Sequence, residues 1–493
     1  MNSTKEKSLK TSNTRQIEKK VLFVASESQP FCGTGALADI ICGLPRFAKH
    51  EKPDYEFRVI LPYYSFIKQE YKDKFEYLGN KHVKLAWRSE YCGVFKCVDG
   101  NITYYFIDNE KYFKRDRAYG FNDDAERFAF FSKAVLEVLD IIDFFPDIIH
   151  ANDWQSALVP VYLKTHYAND SRYNRIKTVL SLHNLQYQGR YGMSILTDVL
   201  GIDARYRSLL EHQHDVNFLK AGIQTADKIV TVSPSYSEEI KYTDSGCGLN
   251  DIIKANSYKL CGILNGLDYD FYNPKHDEII YNKFDTESIE IRKKNKEGLQ
   301  KEFGLNIDPD APMIAIVTRM AKQKGMDLIK ACMEKFIIED NVQFVGVGEG
   351  EFEYHNYFYY LNNKFPKQCH VNVGYSLELG KKIYSGADIF IMPSLVEPCG
   401  LSQMVASRYG AVPIVRETGG LRDSIKDFGC EGGGNGYTFA RYSVEDLSNS
   451  IKRAIYDYKS DKKAWEEKIK ICMNTDFSWN KSIKNYIEIY KSL

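Results

Sequence analysis

Short apolar runs without polar alternation recur along the chain, each followed by a loop and then a stretch with helical periodicity. KVLFVASES, FRVILPYY, DIIHANDW, TVLSLHN and KIVTVSPSYSEEI contain such runs. They suit strands buried on both faces of a parallel sheet. Helical stretches such as AERFAFFSKAVLEVLDII complete the βα units. A second series, PMIAIVTRM, VQFVGVGEG, HVNVGY, DIFIMPSL and AVPIVRET, alternates with helical MDLIKACMEKFII and SQMVASRY. The pattern predicts an α/β chain with two doubly wound parallel sheets in succession.

The Asn-, Gly- and Pro-rich GILNGLDYDFYNPK is the best boundary between the two series. The expected division is a tail over 1–19, a first Rossmann-like domain over 20–264, a second over 265–476 and a final helix over 477–493. That helix, within DFSWNKSIKNYIEIYKSL, is amphipathic with Ser478 as its expected N-cap. The polar, mixed-charge start MNSTKEKSLKTSNTRQIEKK lacks the apolar centre of a secretory signal and is expected to be a solvated tail.

With 493 residues the chain exceeds one ordinary core. Its formal net charge is zero, which supplies no field for polyanions and argues against a nucleic-acid or membrane-surface partner. No apolar run approaches the ~18 residues of a membrane span. Eleven cysteines, scattered without zinc or disulfide spacing, suit free thiols in a reducing, cytoplasmic setting.

Candidate chemistry gathers at the carboxyl ends of predicted strands, where open α/β sheets bind ligands. In FIMPSLVEPCGLSQMVA, Glu397 stands between such an end and a helix start. An acid there can accept hydrogen bonds from sugar hydroxyls, or serve simply as a first-turn acid. IAIVTR ends in Arg319, and QKG supplies Lys324; a guanidinium fork and a point charge together suit a diphosphate. Tyr375 in VGY offers an aromatic face to a base. Gly419 and Gly420 in ETGGLRDS permit close backbone approach before another helix.

These residues stand within TRMAKQKGMDLI, VGYSLELGKKIYSGADIFIMPSLVEPCGLSQMVASRYGAVPIVRETGGLRDSI, HANDWQSALVPVYL, HNLQYQG and NGLDYDFYNP. Taken in order, the blocks resemble the bacterial glycogen synthase and plant starch synthase family, from about residue 20 to the last helix. The resemblance implies the GT-B architecture: two Rossmann-like domains facing a central cleft, with the final helix crossing back to the first. It implies a retaining transfer of glucose from ADP-glucose to the non-reducing end of an α-1,4-glucan, without metal or other cofactor. Arg319 and Lys324 resemble the pair holding the diphosphate, Glu397 the acid on the donor glucose, and Tyr375 the residue stacked on adenine. Cys399, Gly400, Leu401, Ser402, Gly419 and Gly420 resemble the rest of the donor wall. His183 resembles the histidine beside the transferred glucose; alone it would read as a structural histidine. Asp153 resembles a reaction-centre acid and could also cap the helix after it. Asp39, Arg127 and Asn184 fall on the acceptor side.

The match departs at the loop after the first strand. Where the family has Lys-x-Gly-Gly-Leu at the donor, this chain has Gly33, Thr34, Gly35, Ala36 and Leu37. Three outcomes stay open: Thr34 and loop amides replace the lysine; activity is weak or uses UDP-glucose; or the chain is a glucan-binding relative that has lost catalysis. Asp268 and Asp270 form an Asp-x-Asp pair of the kind that binds a metal, but they lie in an Asn-Gly turn and are expected to be linker. The EGGGNG cluster and the Gly346–Gly350 turn are weak phosphate signals. A nicotinamide dehydrogenase is the outside alternative.

Overall fold

The computed structural model of the chain describes residues 17–493. The expected tail lies mostly outside them. At its end the expectation needs correction, because Lys19 already pairs with Tyr55 in the first strand.

The first half carries β1 (Lys19–Val24), β2 (Tyr55–Pro62), β3 (Glu76–Leu85), β4 (Arg88–Asp99), β5 (Ile102–Asp108), β6 (Ile148–Asn152), β7 (Lys177–Leu182), β8 (Arg190–Gly192), β9 (Glu211–His212), β10 (Asp215–Asn217), β11 (Lys228–Thr231) and β12 (Leu260–Gly262). Nine of these form one sheet in the order β12-β11-β7-β6-β1-β2-β5-β4-β3. From β12 to β5 all neighbours are parallel. Val21 to Val24 have no solvent exposure, as the unbroken apolar pattern required. The edge differs from expectation, since β3 and β4 run antiparallel and make the sheet mixed. Strands β8, β9 and β10 form a separate small antiparallel sheet.

The second half carries β13 (Met313–Val317), β14 (Gln343–Gly348), β15 (Cys369–Val373), β16 (Ile389–Met392), β17 (Val412–Arg416) and β18 (Tyr437–Phe439). Every pairing is parallel. The order β15-β14-β13-β16-β17-β18 is the 3-2-1-4-5-6 winding of a dinucleotide-binding sheet. Its direction reverses between β13 and β16, and in the first sheet between β1 and β6. Loops leaving these strands part to opposite faces, which opens a crevice at each carboxyl edge.

The last helix, Trp479–Lys491, packs on the helix Ala36–Glu51 of the first half. Trp479 is 2% exposed and its indole lies so close to Gly43 that a Cβ there would meet Nε1 at 2.7 Å. Lys19 Nζ donates to Tyr490 O, and the Tyr490 hydroxyl lies 2.8 Å from His150 Nδ1. Ser478 occupies the N-cap position, yet its hydroxyl makes no capping bond.

Candidate active site

Both reversal points carry residues singled out in the sequence. In the second half, Arg319 lies just beyond β13 and Glu397 just beyond β16. Lys324 closes a short 3-10 turn, Lys322–Lys324, made possible by Gly325 at φ +76°. A Cβ at Gly325 would meet Pro393 O at 2.2 Å, so this turn presses against the strand end leading to Glu397. Lys324 Nζ then reaches Glu397 Oε2 at 2.6 Å, and Ser394 Oγ donates to the same oxygen at 3.0 Å. Glu397 is 5% exposed. Arg319 is exposed and has no ion-pair or side-chain hydrogen-bond partner among the described residues. The arrangement is one buried acid–base pair beside one free guanidinium.

Tyr375 follows β15 and is 83% exposed, with its ring open to stacking. Cys399 is buried, and burial pushes its thiol up to about 12, so it is no thiolate nucleophile at neutral pH. Gly400 takes φ +73° ahead of Leu401 and the helix Ser402–Arg408. Gly419 and Gly420 open the helix Gly419–Ser424. A Cβ on Gly419 would meet Glu397 O at 2.1 Å, and one on Gly420 would meet Cys399 O at 2.1 Å. The glycines are therefore required by the chain's own backbone, and the Gly419 N–H donates to Glu239 Oε1 at 2.8 Å.

In the first half, Asp153 follows β6 with φ +54°, a left-handed backbone uncommon outside glycine. Its Oδ1 accepts from His183 N at 2.8 Å and Asn184 N at 3.4 Å. It thus ties the β7 loop to β6 and does not cap its own helix, Asp153–Ser156. Burial pushes its carboxyl up to about 7; the two backbone donors oppose that shift, and the charge of Glu27 adds to it. His183 Nε2 lies 3.0 Å from Asn152 Oδ1, which assigns the Nε2–H tautomer and leaves Nδ1 as a buried acceptor without a partner. Burial pulls this imidazole down to about 4, so it is neutral at pH 7.

The Gly33–Gly35 loop after β1 is exposed. Thr34 Oγ1 donates to Glu27 Oε1 at 2.9 Å, and Thr34 N donates to Glu27 Oε2. A Cβ on Gly33 would lie 2.8 Å from both Ala38 Cβ and Gln29 Nε2. Asp39 stands in the first turn of the next helix; its side chain reaches solvent, yet the surrounding protein and then the charge of Glu27 push it up to about 6. The structure does not bring Arg127 to an open surface. It has no exposure, and its guanidinium donates to Tyr112 O at 2.7 Å, Ala118 O at 3.1 Å and the Asp124 carboxylate.

The halves meet beside these groups. Ser233 Oγ, after β11, donates to Pro398 O at 2.6 Å, next to Glu397. Ser235 N and Oγ each donate to Asp423 at 2.7 Å. Sequence reasoning noted Asn152 only as standing where the family often has a histidine, and passed over Glu27, Ser394, Glu239 and Asn265. Asn265, the first residue of NGLDYDF, is 3% exposed with Oδ1 unpartnered, and it lies in reach of the Cys399 thiol. An amide opening a linker gave too general a signal, whereas Glu27 at a strand end was legible by the same rule as Glu397. Asp268 Oδ1 accepts from Asp270 N at 2.9 Å and Phe271 N at 3.1 Å, a local turn. Among the described residues no group of three His, Cys, Asp or Glu could hold a metal ion.

Comparison with known proteins bears on the whole length. Residues 20–255 match the starch synthase catalytic domain family, and 299–491 match glycosyl transferases group 1. Glycogen synthase of Clostridium beijerinckii is 44% identical over 478 residues, covering 96% of this chain and 99% of that one. Glycogen synthase of Clostridium perfringens is 45% identical over 477 residues, covering 96% and 98%. Among solved structures, the catalytic domain of starch synthase IV from Arabidopsis thaliana, bound to ADP and acarbose, superposes with a TM-score of 0.88. It is 30% identical, with 96% of this chain and 99% of that one covered. Sucrose-phosphate synthase from Thermosynechococcus elongatus, at 14% identity and a TM-score of 0.58, shares the fold alone. The architecture is GT-B, and the chain belongs to the glycogen synthase family.

Proposed function

We propose that the chain is a retaining glucosyltransferase that extends an α-1,4-glucan at its non-reducing end from ADP-glucose. The observation that carries the reading is the Lys324–Glu397 pair at 2.6 Å, at the reversal point of the second sheet and beside the unpaired Arg319. Glu397 can accept from donor-glucose hydroxyls, while Arg319 and Lys324 neutralise the departing diphosphate. Tyr375 provides a ring for the base, and His183, neutral at pH 7, adds no charge beside the transferred glucose.

The chemistry is a front-face displacement. The bond from C1 to the diphosphate oxygen breaks, the acceptor hydroxyl bonds to C1 from the same side, and its proton passes to a leaving phosphate oxygen. ADP departs and configuration is retained. The protein contributes positioning and charge, and neither Cys399 nor His183 is poised as a nucleophile or acid. Eleven unpaired cysteines support a reducing, cytoplasmic setting.

The test is nucleoside diphosphate release from ADP-glucose and UDP-glucose, with and without a malto-oligosaccharide. Glucan-dependent release from ADP-glucose, in excess over UDP-glucose, is expected. Release that ignores the glucan, or none from either donor, refutes the proposal.

A further inference from the structure

Resting on the glucosyltransferase reading, we infer that Glu239, which belongs to the opposite half of the molecule, is a positioning residue for Glu397, acting through the Gly419–Gly420 turn. Glu239 lies on the helix Pro234–Tyr242, which begins directly after β11 with Ser233 as a capping residue. Its Oε1 accepts from Gly419 N at 2.8 Å and its Oε2 from Thr418 Oγ1 at 3.1 Å. Both bonds cross between the halves, and the carboxylate is half-buried.

The turn it grips has no slack against Glu397. Gly420 N donates to Glu397 O at 3.0 Å, and there is no space for even a methyl group between Gly419 and that oxygen. Close-packed backbone of this kind moves as one body. A shift of the turn is therefore a shift of Glu397, whose carboxylate is in turn held by Lys324 and Ser394.

A second route ends on the same acid. The Arg416 guanidinium lies within the field of Glu239 and donates to Ser394 O at 2.8 Å and to Leu395 O. Ser394 supplies the hydroxyl that fixes Glu397 Oε2. Glu239 thus links the half that offers the acceptor to the acid assigned to the donor sugar, without touching either substrate. The neighbouring Ser235–Asp423 contact joins the same two helices but does not grip the glycine turn, so it separates positioning from general tethering.

The experiment uses the full chain and compares Glu239→Ala, Glu239→Gln and Asp423→Ala by glucan-dependent ADP release, with melting curves. Glu239→Ala is expected to lower kcat on the order of 10-fold, the scale of a lost charge-assisted hydrogen bond, with the glucan KM unchanged. Glu239→Gln recovers most of that loss, because its amide oxygen still accepts from Gly419. Asp423→Ala stays near wild type. If Glu239→Ala does not fold, Glu239→Asp, one methylene too short to bridge, is read in its place. An unchanged kcat, or an equal loss in Asp423→Ala, overturns the inference. Wild-type protein without glucan-dependent release overturns the functional reading and this inference with it.

Discussion

Lys324 and Glu397 hold one another at 2.6 Å, although the sequence assigns one to a diphosphate and the other to a sugar. The side chains are 14% and 7% exposed, so this is a largely buried ion pair. Arg319, the other half of the proposed cationic clamp, is exposed and unpaired.

That contrast separates two variants that would otherwise look alike. Arg319→Ala and Lys324→Ala should each lower turnover on the order of 10²-fold, if leaving-group charge is stabilised as proposed. Only Lys324→Ala strands a buried carboxylate, at a cost of about 3–5 kcal/mol in stability. Activity and denaturant titration check both statements together. Near-normal turnover in either variant contradicts the clamp.

Gly33→Lys does not simply restore a missing cation. Its Cβ would arrive 2.8 Å from Ala38 Cβ, in a helix start that cannot readily yield. Overpacking of this sort destabilises by about 1–3 kcal/mol. The expected outcome is a lower melting temperature with no gain in turnover. Adding Ala38→Gly relieves the clash with the helix while the flexible Gln29 amide swings aside, and the pair of variants shows whether a lysine at this place helps at all. A stable Gly33→Lys with raised turnover would be the contrary result.

Asp153 and His183 predict opposite pH slopes. Asp153 rises from 3.8 to about 7 in the folded chain, so its contribution to stability is complete below 3.8 and is lost as pH rises through about 7. His183 falls from 6.5 to about 4, and buried His150 from 6.5 to about 3. Their contribution is complete above 6.5 and is lost as pH falls through those lower values. Asp153→Asn removes the first slope alone. Its melting temperature, relative to wild type, should be more favourable at pH 8 than at pH 5, by an amount equivalent to a few kcal/mol at most. An equal gap at both values rules out Asp153 as the group responsible.

Excess chelator should leave ADP release unaltered. The cations proposed for the diphosphate are side chains, and the Asp268 carboxylate is already engaged by Asp270 and Phe271 amides. Activity that vanishes with chelator and returns with magnesium would contradict this.

The parallel core was legible because its strands are buried on both faces and carry unbroken apolar runs. The antiparallel edge was not, since β3 alternates polar and apolar residues over a largely exposed surface and resembles a loop at this level. The positions of Arg319 and Glu397 at strand ends could be read from neighbouring glycines and prolines. The contact between Lys324 and Glu397, 73 residues apart, depends on the order in which β13 and β16 meet. Arg127 shows the reverse case: a charge that looked available is consumed by carbonyls of its own neighbourhood. Glu239 carried no local signal, because its meaning lies in a partner on the other half.

The bond from His150 to Tyr490 spans 340 positions, and that from Lys19 to Tyr490 spans 471. During translation the earlier lobe therefore emerges from the ribosome long before the piece that closes it. The face of Phe57 that meets Tyr490 and the seat of Trp479 on Gly43 stay open while the whole later lobe is being made. Over that interval the earlier lobe exposes an apolar patch that the finished protein hides.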